Sequence, residues 1–108
     1  VETLLAASAS GCFDHILESL SKSYPGLNMP DLARYQFDRT VKHGVRRAAE
    51  MRESAATVEA LGLTGALASA IADVQDAMGA VPDTVLTPDA PLARQAADIV
   101  RQRGDARV

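Results

Sequence analysis

From Leu32 to Val81 the chain carries no proline, and through much of that stretch apolar residues recur at three- and four-residue spacing. That is the period of a helix buried along one face. Strict two-residue alternation, the mark of a half-buried strand, reaches no useful length anywhere, and no segment repeats with a period of about 20–50 residues. Alanine supplies much of the 47% hydrophobic content while aromatic residues make up 4%, a balance suited to closely packed helices. The sequence therefore predicts an all-α fold of five or six helices, with residues 1–108 forming a single helical domain. A chain of 108 residues buries one core but is too short for a nucleotide-binding fold with a second domain attached.

In chain order, Leu4, Leu5, Ala9 and Phe13 form an apolar edge that Gly11 interrupts, so the first helix is expected to end or kink there. Phe13, Ile16, Leu17 and Leu20 share one face of a second helix, which Tyr24-Pro25-Gly26 terminates. Asn28 to Asp31 reads as a loop and helix start, with Pro30 suited to the first helical position and Asp31 to the positive end of the helix dipole. Thr40, Val41 and Gly44 together weaken helix propensity, and about 30 residues is long for a helix in a small domain, so a break is expected between Thr40 and Gly44. Leu61-Gly62-Leu63 has the form of a helix end with glycine in the left-handed conformation, and Thr64 of the next N-cap. Leu67, Ala70, Ile71, Val74 and Met78 then make a core-facing stripe opposite Ser69, Asp73 and Asp76. Gly79 and Pro82 close that helix. Residues 83–90 read as a linker, and a last helix carries Leu92, Ala96, Ile99 and Val100 before Gly104, with Asp105 to Val108 expected to fray.

The net charge of −3 gives no overall basic excess for nucleic acid, and two tyrosines with two phenylalanines make no stacking platform for bases. No apolar run approaches the roughly 20 residues of a membrane span, and no basic-then-apolar leader is visible. A cytoplasmic location is expected. One cysteine, Cys12, cannot form an internal disulfide or a cysteine-only zinc site and reads as a small packed residue. His15 has no second His or Cys at ligand spacing and reads as a surface or cap residue, so no metal site is assigned. The chain begins at Val1 with helical patterning and no N-cap residue ahead of it, which reads as a segment cut from a longer chain within a helix.

Arg39, Lys42, His43 and Arg46 stand three, one and three residues apart, with Arg47 on the margin, so a helix would gather them into one positive stripe without an intervening acid. Glu50 falls four after Arg46 and three after Arg47, placed to pair with either. Val41, Val45, Ala48, Ala55 and Val58 form the expected buried stripe of the same segment. A solvated basic face balanced by Glu50 and Glu53 is the reading the residues favour. An anion site at His43, Arg46, Arg47 and Glu50 and a patch for a partner protein stand beside it, since arginine forks suit carboxylate or phosphate. No glycine-rich phosphate loop, G-x-S-x-G or H-E-x-x-H is present.

At Arg46-Arg47-Ala48-Ala49-Glu50-Met51, with His43 before it and Leu61-Gly62 after it, the sequence resembles a known helical domain. This is the C-terminal domain, long catalogued as of unknown function, that follows a Rossmann domain in one branch of the β-hydroxyacid dehydrogenases. The wider family includes 3-hydroxyisobutyrate and 6-phosphogluconate dehydrogenases, and the likeness covers roughly Gly11 to Gly79. It implies a helical bundle like the C-terminal domain of 6-phosphogluconate dehydrogenase. It further implies the substrate-side and dimerisation domain of an oxidoreductase that moves a hydride between NAD or NADP and a small hydroxy acid. The implied partners are an upstream Rossmann domain of the same protein, which would bind most of the cofactor, and a second copy in a homodimer.

In such enzymes a lysine on the connecting helix transfers the proton. Lys22 and Lys42, the only lysines, do not lie in that lysine's glycine-and-asparagine setting, so no catalytic residue is assigned and the chain alone is expected to be inactive. Relatives closest to 3-hydroxyisobutyrate dehydrogenase carry Lys-Asp-Leu where Ala49-Glu50-Met51 stands here. The acid is kept and the lysine is not, so Arg46 or Arg47 would have to supply the positive charge. The competing expectation is a self-contained helical interaction module that binds an acidic partner through Arg39 to Arg47.

Overall fold

The computed structural model describes residues 1–103; Gly104 and the expected frayed end, Asp105 to Val108, lie outside the described residues. Among the described residues the fold is all-α. It comprises α1 (Glu2–Ala9), α2 (Phe13–Ser23), α3 (Met29–Ala60), α4 (Ala66–Gly79), a 3-10 turn (Asp83–Val85) and α5 (Leu92–Gln102). The described chain divides into two compact units, one of residues 1–38 with 83–103 and one of residues 39–82.

In the first unit α1 packs against α2 and α5. Leu4, Leu5 and Ala7 are its buried positions while Ala9, expected on the apolar edge, is exposed. The helix ends where predicted, with Gly11 at φ +76°, a left-handed conformation that glycine enters without a steric cost. Cys12 is half-buried and free, and His15 is exposed. On α2, Phe13 is buried while Ile16, Leu17 and Leu20 are half-buried. The start of α3 falls one residue before Pro30 and is capped by Asn28, whose Oδ1 accepts the Asp31 backbone N–H at 3.2 Å. This satisfies one of the donors that the first turn leaves open.

Residues 83–90, expected as a linker, include the 3-10 turn, and Arg34 Nη1 donates to the Ala90 carbonyl at 3.0 Å. Helix α5 buries Leu92, Gln95, Ala96 and Ile99; Val100 is half-buried. Arg103, itself buried, donates from Nη1 to Glu2 and ties the end of α5 to the start of α1.

The second unit overturns the expected break. α3 is one helix of 32 residues through Thr40, Val41 and Gly44. Thr40 and Val41 are buried, so their weak helix propensity, a few tenths of a kcal/mol each, is outweighed by packing. Gly44 has a different purpose from a break. A Cβ placed there would lie 2.2 Å from the Gln75 carbonyl oxygen and 2.7 Å from the Gly79 nitrogen, and one placed on Gly79 would lie 2.7 Å from the Val45 nitrogen. The two helices touch backbone to backbone at this crossing.

Val45, expected in the buried stripe, is 62% exposed, because the buried side of α3 here is Val41, Gly44, Ala48 and Ala55 and Val45 lies on its flank. Val58 is half-buried. The stripe expected on α4 is also corrected. Met78 and Ala72 are fully buried, Ile71 and Val74 half-buried, and Ala70 and Leu67 exposed, Leu67 at 75%.

The end of α3 follows the sequence reading. Gly62 sits at φ +83°, its N–H bonds to the Glu59 carbonyl at 3.0 Å, and the Leu63 N–H reaches the Val58 carbonyl at 3.2 Å. This pair of bonds is a Schellman cap. Thr64 Oγ1 accepts the Ala66 N–H at 3.3 Å, but Gly65 takes the N-cap position. A side chain at Gly65 would meet the Ala55 carbonyl at 2.7 Å, which brings the two helices together at this end as well.

One substitution in each unit, with a control, tests the packing. Gly44→Ala gains about 1 kcal/mol of helix propensity, yet it is expected to destabilise the chain by about 2–3 kcal/mol, because the added methyl meets backbone that has no rotamer to change. Gly26→Ala, with nothing within 4 Å of the added atom, is the near-neutral control in urea melts followed by circular dichroism. Phe37→Ala, at a side chain with no exposed area, is expected to cost about 3–5 kcal/mol in the same melts.

Candidate anion-binding site

All the residues assigned to the candidate site lie on α3, and the continuous helix decides where each points. With about 100° per residue, Arg46 lies about 200° around from Gly44, on the side away from α4, and it is exposed. Arg47 falls on the flank and is half-buried, as is His43; Glu50 is exposed. The continuous helix carries the whole predicted stripe, Arg39, Lys42, His43 and Arg46 with Arg47 on its margin, and Glu50 follows one turn further along.

The expected pairing inside it does not form. Among the described residues no ion pair or side-chain hydrogen bond engages Arg46, Arg47 or Glu50. A physical reason is the order of the pair. Acid before base at four-residue spacing complements the helix dipole, and Arg46 before Glu50 is the weaker order. Both guanidinium groups are left with donors facing solvent. Arg39 adds a buried Nε with no hydrogen-bond partner.

In the second unit a different arginine, Arg52, is ion-paired, and spacing along α3 does not single it out. Arg52 Nη2 donates to Asp76 Oδ2 at 2.6 Å and to Asp73 Oδ1 at 3.3 Å, bridging α3 to α4. The hydrogen bond to Asp76 is the main reason the Arg52 guanidinium holds its proton more firmly than a free arginine, with the charge of Asp76 and the contact with Asp73 adding to it. Asp73 and Asp76 are solvent-accessible, as their place opposite the apolar stripe predicts, and their three-residue spacing puts both on one helix face within reach of Arg52.

The chemistry that follows is limited and specific. Arg46 and Arg47 offer planar donor forks to an anion, with Glu50 beside them as an acceptor for a hydroxyl. Among the described residues no group of three or more His, Cys, Asp or Glu side chains is placed to hold a metal ion. Among the described residues no helix is long and apolar enough to cross a membrane.

The model of the family described as "Domain of unknown function (DUF1932)" matches residues 7–78. The chain belongs to this family. The matched segment takes in α2, the whole of α3 and nearly all of α4, and so includes every residue of the candidate site. No curated protein and no solved structure matches the chain.

The bridge at Arg52 generates a prediction. Asp76→Asn is expected to lower the thermal midpoint in low salt more than Asp73→Asn, since Asp76 makes the shorter contact. The difference should shrink near 1 M salt, where the screening length falls to about 3 Å. A melt for Asp76→Asn that matches the parent at low salt would count against the bridge.

Proposed function

We propose that the chain is the substrate-side helical domain of an NAD(P)-dependent hydroxyacid dehydrogenase, with His43, Arg46, Arg47 and Glu50 forming part of the wall that meets an anionic group. The observation that carries this reading is the family match over residues 7–78. It contains the Arg46-Arg47-Ala48-Ala49-Glu50-Met51 run on which the resemblance to the β-hydroxyacid dehydrogenases rests. The placement of Arg46 and Arg47 supports it further, because guanidinium groups without an ion pair are available to a carboxylate or phosphate.

The residues present do not fit a dinucleotide site. The chain has no G-x-G-x-x-G loop and, among the described residues, no strand for such a loop to follow, which is the setting that holds a pyrophosphate. NAD or NADP would therefore be bound mainly by a preceding Rossmann domain, and no residue of this chain is given a catalytic role. Its part would be to orient the hydroxy acid. An arginine fork on the substrate carboxylate fixes the carbon that gives up hydride, and a second copy of the chain in a homodimer is the expected assembly.

The test uses the full-length protein. Arg46→Ala and Arg47→Ala are each expected to raise the KM for hydroxy acid or cofactor about tenfold or more, the usual consequence of losing a charge-assisted hydrogen bond. The fold should survive, because neither arginine is part of the packed side of α3. Both Michaelis constants unchanged in both variants would remove these arginines from the site. A parent chain without a strand followed by G-x-G-x-x-G upstream would remove the dehydrogenase reading itself.

A further inference from the structure

We draw no further inference here: the strongest candidate, the apolar patch of Leu61, Leu63 and Leu67 at the turn joining α3 to α4, carries nothing because nothing in the structure shows what covers it.

Discussion

The contact between Gly44 and Gly79 is the constraint on which the second unit depends. Where two helices meet through side chains their axes stay about 8–10 Å apart; removing both Cβ atoms lets backbone approach backbone, as the 2.2 Å from a hypothetical Gly44 Cβ to the Gln75 carbonyl shows. Gly65 repeats the device near the turn, against the Ala55 carbonyl. Between these ends, Ala48 and Ala72 are small and fully buried. The alanine-rich composition is thus the means by which two helices with few large side chains pack tightly. Arg52, reaching Asp73 and Asp76, then closes one edge with polar contacts.

That arrangement accounts for which charges are used and which are left over. Arg52 lies about 40° around the helix from Ala48, near enough to the α4 side to meet two aspartates. Glu50 lies about 200° from Ala48 and faces away from α4. Arg46 shares that outward face, and its order relative to Glu50 is the weaker one. Arg46 and Arg47 are therefore what is left over after α3 and α4 have satisfied their own contacts, two guanidinium groups with no ion pair among the described residues.

Much of the fold could be read from the residues, because it rests on local chemistry. The turn at Leu61-Gly62-Leu63, the end of α1 at Gly11 and the Asn28 start of α3 are each set by one residue's conformational or capping preference. The failures share a different cause. Gly44 looks the same in sequence whether it ends a helix or admits a neighbour, and only the partner glycine far along the chain decides between them. The periodicity of Leu67, Ala70, Ile71, Val74 and Met78 is that of a buried face, but periodicity does not say how far the covering extends, and Leu67 lies beyond it. In the candidate site the stripe was legible from spacing, whereas the choice of Arg52 over Arg46 as the paired arginine was not. It depends on which face of α3 meets α4.

The continuity of α3 also bears on whether such a surface could serve a ligand at all. In a helix broken at Thr40 to Gly44, Arg46 and Arg47 would stand in a frayed first turn, and a bound anion would have to order that turn at about 1–2 kcal/mol per residue. In the unbroken helix their backbone is already fixed, by hydrogen bonding along α3 and by the Gly44 crossing one turn away, so only side-chain freedom remains to be lost on binding. A glycine that weakens the helix by its propensity therefore strengthens the case for the site, because it lets α4 hold rigid the turn on which Arg46 and Arg47 stand.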